Sequence, residues 1–186
     1  TSNTLVILTS DHGEDLMDHG TISHGDLYDV GIHVPLIIRY PNLFPKNKRV
    51  DYTVRSMDIL PTILDALALP LETGMEGKSL FNLMLGGKEK YERTVFSFGF
   101  NYKLEMRTAL RTRNWKLLCS YGTCQLFNLK EDPKELNNLA SVNKQQLEIL
   151  QEELNSYKKR FKPPIIKEKV ILDEKIRQQL KSLGYL

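Results

Sequence analysis

The sequence is poor in cysteine and tryptophan, and it contains no long apolar run. The two cysteines, Cys119 and Cys124, have no other cysteine and no histidine near them, so this pair is a poor zinc site. No segment is apolar for long enough to span a bilayer. A strong excess of charge of one sign is also missing, because 26 lysines and arginines face 23 aspartates and glutamates. The resulting net charge of +3 gives no reason to expect a nucleic-acid partner.

What the sequence does contain is the ordinary composition of a globular domain. Hydrophobic residues make up 41% of the chain and charged residues 26%, and 186 residues suffice for one domain with a small appendage. The first apolar run begins at residue 4 with no signal peptide before it. This beginning predicts that the sequence is a piece of a longer protein.

Cys119 and Cys124 flank a four-residue stretch, SYGT, that is typical of a tight hairpin. Residues that face each other across a hairpin can come close enough to form a disulfide. Two free thiols on the same hairpin fit the sequence equally well, so both alternatives stay open at this point.

Apolar periodicity predicts an α/β fold in three parts. Residues 1–92 begin with an apolar run at 4–9, which is typical of a buried strand in a parallel sheet, and they include helix patterns further on. Residues 93–162 contain four short alternating segments followed by an amphipathic helix at 143–161. This second part therefore predicts a small antiparallel sheet packed by a helix. Residues 163–186 form a tail with a short helix.

Two aspartates are predicted to begin helices. Asp58 has the position of an N-cap for a helix that reaches about Leu69. Asp132 opens the stretch DPKE, whose spacing resembles a capping box and predicts another helix start.

Three of the four histidines, His12, His19 and His24, lie in the polar loop that follows the first strand. Carboxylates, among them Asp11 and Glu14, lie between these histidines. Imidazole and carboxylate side chains at the end of a strand are the inventory of a divalent metal site. A polar surface loop whose histidines make ordinary hydrogen bonds is the alternative. Gly13 is expected to permit the turn that lets Asp11 and His12 reach one ion.

Several longer motifs follow one another along the chain. Residues 3–14 read NTLVILTSDHGE, residues 24–38 read HGDLYDVGIHVPLII, and residues 58–64 read DILPTIL. Residues 126–140 and 180–186 add a C-terminal signature. Together these motifs resemble the sulfatase family of the alkaline phosphatase superfamily. The resemblance covers nearly the whole chain and implies the C-terminal part of an alkaline-phosphatase-like mixed or parallel sheet with flanking helices.

The resemblance implies roles for three side chains. Asp11 would be a carboxylate ligand of the single catalytic metal, and His12 would be the next ligand. His24 stands where many family members have a lysine that contacts the sulfate, so it would be a substrate contact. The implied metal is Ca²⁺, with Mn²⁺ or Zn²⁺ as alternatives because His12 supplies a nitrogen ligand. Glu14 and His19 are expected to support the site.

The nucleophile of the family is a formylglycine made from Cys or Ser in a Cys/Ser-x-Pro/Ala-x-Arg motif, and this motif does not occur here. The resemblance assigns the formylglycine to an N-terminal half that the chain lacks. The chain is therefore expected to hold no catalytic residue and to be inactive alone. Its parent is expected to hydrolyse a small-molecule or glycan sulfate ester.

Two other functions remain open. One is a phosphonate or phosphate ester hydrolase of the same superfamily, and the other is a non-catalytic domain on this scaffold. The sequence makes no prediction of the oligomeric state.

Overall fold

The computed structural model describes residues 2–100, 106–160 and 173–182. Its strands and helices follow in this order: β1 (Val6–Thr9), β2 (Asp15–Leu16), β3 (Ile22–Ser23), α1 (Asp29–Ile32), β4 (Leu36–Arg39), α2 (Ile59–Ala66), α3 (Phe81–Met84), β5 (Val95–Phe100), β6 (Met106–Arg111), β7 (Trp115–Ser120), β8 (Thr123–Asn128), α4 (Lys144–Arg160) and α5 (Glu174–Ser182). No helix among the described residues is long and apolar enough to cross a membrane.

Strands β5 to β8 form one antiparallel sheet, in which each strand pairs with the next along the chain. Side chains of these strands alternate between the two faces, and helix α4 packs on one of them. Leu110, Leu117 and Leu126 lie opposite one another across three strands. With Leu150 and Leu154 of α4 they form a cluster in which no side chain is more than 2% exposed. The predicted antiparallel sheet and its packing helix are confirmed.

The other face of the same sheet packs against the first part of the chain. Ala109, Leu118 and Phe127 are buried there together with Leu27, and Tyr28 packs against this cluster. Both faces of the four-stranded sheet are therefore covered. The contact also places the sheet directly beneath the segment that follows His24.

Strands β1 and β4 form a separate antiparallel pair, called the ribbon below. Its apolar side chains are largely exposed, with Val6 at 46%, Leu8 at 54% and Ile37 at 59%. The prediction of a buried strand in a parallel sheet at residues 4–9 is therefore wrong within the described residues. An apolar run predicts a strand, but it does not predict which surface covers that strand.

The structure confirms the position of one predicted helix start and corrects the other. Helix α2 begins directly after Asp58, but the Asp58 side chain makes no hydrogen bond that caps it, and α2 ends at Ala66, short of the predicted Leu69. Asp132 begins no helix, because its carboxylate accepts hydrogen bonds from the backbone N–H groups of Leu136 and Asn137 and closes a turn.

Cys119 and Cys124 are joined by a disulfide. They face each other across the β7–β8 hairpin, whose two-residue turn is Tyr121-Gly122 with positive φ at both positions. This turn type matches the right-handed twist of the strands. The disulfide alternative is confirmed, and the free-thiol alternative is wrong.

The short tail helix is confirmed as α5. Residue 161 at the end of the predicted long helix, residues 163–172 of the tail and Gly184 lie outside the described residues.

Candidate metal and substrate site

The predicted metal ligands lie where β1 ends. The Ser10 hydroxyl donates to the His12 carbonyl at 2.7 Å, and the His12 backbone N–H donates to Asp11 Oδ1 at 3.0 Å. These two bonds fold the backbone back on itself just past the strand. As a result, the side chains of Asp11 and His12 point to the same side, with His12 Nε2 3.8 Å from Asp11 Oδ2.

Gly13 is needed at this point for space. Its backbone N–H donates to the Gly31 carbonyl at 2.8 Å, and a Cβ at Gly13 would lie 2.0 Å from the Val30 carbonyl oxygen. Gly13 does not have a positive φ, so the expectation that it supplies the freedom to turn is wrong. Its role is to let the loop backbone approach α1 closely.

His12, Glu14 and His24 form a cluster of three possible ligands beside Asp11, called the triad below. Their ligating atoms all lie within 4.8 Å of one another. The rings of His12 and His24 stack with centroids 4.5 Å apart, and His24 Nδ1 lies 3.5 Å from Glu14 Oε2. The loop therefore brings His12 and His24 together as their predicted roles require, and it adds Glu14 on the same footing.

Two features make Asp11 and His12 suitable ligands. Hydrogen bonds from the backbone N–H groups of Asp11 and His12 hold the pKa of the Asp11 carboxyl below its usual range, and the nearby His12 adds to this effect. Asp11 is therefore ionised at neutral pH. His12 Nδ1 lies 2.8 Å from the Gly13 carbonyl oxygen, which can only accept a hydrogen bond. In a neutral His12 ring, Nδ1 therefore carries the proton and Nε2 is the nitrogen that can bind a metal.

His19 is held outside this cluster. Its Nδ1 lies 2.8 Å from Asp15 Oδ2, its Nε2 lies 3.0 Å from the Lys134 carbonyl oxygen, and its ring stacks on Tyr28. Burial raises the pKa of Asp15, but the hydrogen bonds from His19 more than offset this and leave that pKa below its usual value. Both ring nitrogens of His19 are thus engaged in holding the loop, as the sequence analysis expected of a supporting residue.

The family model described as "N-sulphoglucosamine sulphohydrolase, C-terminal" matches residues 17–162. The chain belongs to this sulfatase family. The matched region includes His24 and begins just after Asp11, His12 and Glu14. The prediction of the family from the sequence motifs is confirmed.

Similar proteins agree with this assignment. Arylsulfatase K of Canis lupus familiaris is 36% identical over 151 residues, which are 75% of this chain and 28% of that protein. A solved 2-O GAG sulfatase aligns with a TM-score of 0.77 and 26% identity over 93% of this chain and 40% of its own. The phosphonate monoester hydrolase of Agrobacterium radiobacter aligns with a TM-score of 0.73 and 26% identity over 86% of this chain and 36% of its own. The chain thus spans well under half the length of each of these proteins.

A buried ion network in this sulfatase domain fixes the loop that carries His24. Asp29, at the start of α1, accepts from Lys116 Nζ at 2.7 Å and from Arg111 Nε at 2.9 Å. Lys116 Nζ also lies 2.9 Å from Glu135 Oε1, and Glu135 Oε2 accepts from the backbone N–H of Asp29 at 2.5 Å. The Lys116 side chain is 0% exposed. Burial raises the pKa of Asp29, but Lys116 and Arg111 outweigh it and lower that pKa overall.

The sequence motifs did not predict this network, although one signal for it was present. That signal is a lysine, Lys116, inside the otherwise apolar strand sequence WKLLC. Glu135 gives no such signal, and only the structure shows that it is nearly fully buried and has a positive φ. A buried charge at an apolar position requires a partner of opposite charge.

A second network holds Asp58, which is fully buried. Its carboxylate accepts from Arg55 Nη2 at 2.9 Å, from Arg93 Nη1 at 2.6 Å and from the Lys78 backbone N–H at 2.9 Å. Arg93 also pairs with Glu89. Burial raises the pKa of Asp58, but these donors outweigh it and lower that pKa overall. Asp58 thus ties together three separate segments of the sulfatase domain.

One cleft among the described residues lies outside the triad. It has a volume of about 600 Å³ and is lined by residues that include His19, His33, Arg111 and Glu135. None of His12, Glu14 and His24 lines it. The ligand chemistry of the triad, and not the size of this cleft, identifies the candidate site. The triad side chains are partly exposed, so this site is an open surface.

Proposed function

We propose that this chain is the C-terminal part of a metal-dependent sulfatase that hydrolyses sulfate esters. In this proposal Asp11 and His12 bind the metal, and His24 contacts the substrate. The observations that carry it are the approach of His12 to Asp11 and the clustering of His12 with His24 just past β1, in a chain of the sulfatase family. Carboxylate and imidazole groups in one place are what such chemistry requires.

The geometry fits a divalent metal at Asp11 and His12. Asp11 is ionised, and the contact of His12 with the Gly13 carbonyl oxygen uses Nδ1 and not Nε2. His12 Nε2 and Asp11 Oδ2 are 3.8 Å apart, so one ion can contact both with bonds of about 2.0–2.5 Å. Carboxylate oxygen favours Ca²⁺, and the imidazole nitrogen leaves Mn²⁺ or Zn²⁺ as alternatives. When bound, the metal would stabilise negative charge on the ester oxygens.

His24 is suited to a substrate contact because its side chain is 44% exposed. One ring nitrogen, Nδ1, is near Glu14 Oε2, which leaves Nε2 to meet a substrate oxygen. Glu14 would therefore orient His24, which agrees with the supporting role expected from the sequence. The formylglycine nucleophile and further metal ligands would come from the part of the sulfatase that this chain does not cover.

The substrate class proposed is a small-molecule or glycan sulfate ester. The names of the similar proteins, arylsulfatase K and a 2-O GAG sulfatase, support this class. The second candidate is phosphonate or phosphate ester hydrolysis, which the structural similarity to a phosphonate monoester hydrolase favours. We rank it second because arylsulfatase K of Canis lupus familiaris is 36% identical to this chain, compared with 26% for the phosphonate monoester hydrolase.

Turnover by a complete sulfatase polypeptide that contains this chain tests the proposal. With Ca²⁺ or Mn²⁺ supplied, 4-nitrophenyl sulfate should be hydrolysed with a kcat/KM at least about tenfold above that for a phenylphosphonate ester. The reverse preference would favour the second candidate. No turnover of either ester would favour a non-catalytic domain.

The role of His24 is tested with a matched pair of variants of the same polypeptide. His24→Ala should lower kcat/KM for the preferred ester by about a hundredfold, the usual cost of removing one donor to reacting oxygens. His33→Ala removes an exposed histidine that lies just past α1 and outside the triad, and it should leave kcat/KM unchanged. Equal kinetics in His24→Ala and wild type would remove His24 from the site.

A further inference from the structure

We propose that the triad, His12, Glu14 and His24, is a transition-metal site in its own right, which takes Zn²⁺ and excludes Ca²⁺. The Zn²⁺ binding rests on the geometry of this chain alone. Its consequence, inhibition of hydrolysis by Zn²⁺, rests on the proposed function. The triad differs from the Asp11–His12 pair in two of its three ligands.

The donor set is one that zinc prefers. Two imidazoles and one carboxylate, with a position left for water, are a common three-ligand zinc set. Bonds of about 2.0–2.2 Å around a tetrahedral ion place its ligand atoms roughly 3.3 Å apart. The triad atoms already lie within 4.8 Å of one another, and His24 Nδ1 is 3.5 Å from Glu14 Oε2. Small rotations of exposed side chains are enough to close this difference.

The backbone beneath the triad is fixed on both sides. The Gly13 N–H is bonded to the Gly31 carbonyl oxygen, and the Asp15 carboxylate, which is buried, is bonded to His19. The Gly13 carbonyl oxygen also holds Nδ1 of His12, which is the usual way in which a ligating histidine is oriented. The side chains of His12, Glu14 and His24 are 37%, 41% and 44% exposed, so an ion can reach them without unfolding the loop.

The same chemistry excludes Ca²⁺ from the triad. Calcium takes six to eight ligands and prefers oxygen, whereas the triad offers two nitrogens and one carboxylate. The triad and the Asp11–His12 pair both need Nε2 of His12, so one ion at a time can use it. A Zn²⁺ ion in the triad would also hold His24 away from a substrate. Zn²⁺ would therefore compete with both the proposed metal and the proposed substrate contact.

Isothermal titration of the 186-residue chain with ZnCl₂ tests the binding. We expect one ion per chain, and an affinity that falls at least about tenfold in both Glu14→Gln and His24→Ala, since each removes one of three ligands. His33→Ala, an exposed histidine outside the triad, should bind Zn²⁺ like the wild type. Asp11→Asn should also retain Zn²⁺ binding, which separates the triad from the pair. Excess Ca²⁺ should not displace the Zn²⁺.

Titration with Co²⁺ in place of Zn²⁺ is an independent test that needs no variant. Its visible absorption should show the intense bands of a four-coordinate site with nitrogen ligands, and ZnCl₂ should abolish them. No saturable Zn²⁺ binding, equal affinity in the wild type and His24→Ala, displacement by Ca²⁺, or weak six-coordinate Co²⁺ bands would each overturn the proposal. Failure of sulfate turnover in the complete polypeptide would leave this binding result standing, so the two failures are distinguishable.

Discussion

The four-stranded sheet and the ribbon differ in how far their apolar side chains are buried. In the four-stranded sheet, Leu110, Leu117 and Leu126 are 0% exposed, because α4 covers one face and the segment after His24 covers the other. In the ribbon, Leu8 and Ile37 are more than half exposed. The sheet thus has its own core, whereas nothing in the part of the chain that the structure describes fully buries the apolar side chains of the ribbon.

This difference bears on function because the proposed ligands follow the ribbon. Asp11 and His12 come directly after β1, whereas Asp29, which follows the segment that carries His24, is held by Lys116 of the sheet and by Glu135. The sheet therefore helps to hold the segment that carries the proposed substrate contact. The chain spans only 28% of arylsulfatase K of Canis lupus familiaris.

The largest expected effect comes from breaking the network that links the sheet to α1. Lys116→Ala should lower the free energy of unfolding by about 3–5 kcal/mol, because it leaves the buried Glu135 carboxylate without its cation and leaves Asp29 with Arg111 alone. Urea denaturation of the chain measures this. Lys130→Ala is the matched control, since its pairing with Glu131 is exposed and should contribute about 0–1 kcal/mol. Similar losses in both variants would show that the network contributes no more to stability than an exposed ion pair.

The comparison itself is tested by one leucine in each region. Leu117→Ala should lower the free energy of unfolding by about 2–5 kcal/mol, because it opens a cavity in the sheet core. Leu8→Ala should cost less than about 1 kcal/mol, because that side chain already meets solvent. Equal costs in urea denaturation would contradict the account, since the ribbon would then be as well packed as the sheet.

These two regions also differ in how far the sequence predicted them. The four strands of the sheet and α4 were predicted to within about two residues. Alternation and helical periodicity mark the faces of these elements that pack against other parts of the same chain. The strand at 4–9 was predicted to lie buried in a parallel sheet. An apolar run has the same sequence pattern whether or not the chain supplies the strands that would pack beside it. Asp132 was misassigned for another reason. Glu135, three residues further along, forms an ion pair with the distant Lys116. Such a long-range contact produces no local sequence pattern.

The candidate site was predicted in part. Family resemblance supplied Asp11, His12 and His24, and in the structure His12 lies close to both Asp11 and His24. It did not supply the position of Glu14 beside His24, because that position depends on how the loop closes against α1 through Gly13. The metal and substrate roles of these residues stay predictions.

Removal of the disulfide should have a smaller effect on the stability of the sheet. Replacing Cys119 and Cys124 with serine should lower the free energy of unfolding by about 2 kcal/mol, because the bond closes only a short loop in the unfolded chain. The effect should appear in thermal or urea unfolding of the sheet. Dithiothreitol should destabilise the wild type and leave the double variant unchanged. A double variant as stable as the wild type would show that the hairpin needs no covalent closure.

The smallest expected effect is a pH dependence of the link at Asp58. The folded-state pKa of Asp58 is lowered, so its pairing with Arg55 and Arg93 contributes fully above the ordinary aspartate pKa of about 3.9. That contribution is lost as the pH falls below this value and through the lower folded-state pKa. The stability difference between wild type and Asp58→Asn should therefore shrink by on the order of 1 kcal/mol between pH 5 and pH 3. A difference that grows over this range would contradict the assigned direction.

Amide hydrogen exchange of the 186-residue chain tests the central division most directly. Exchange reports local opening, which ranges from nearly free to the full cost of unfolding. The account predicts that amides of β6, β7 and β8 exchange at least about a hundredfold more slowly than those of β1 and β4. Equal protection in the ribbon and the sheet would contradict it, because the ribbon would then have the self-sufficient core that the structure assigns to the sheet alone.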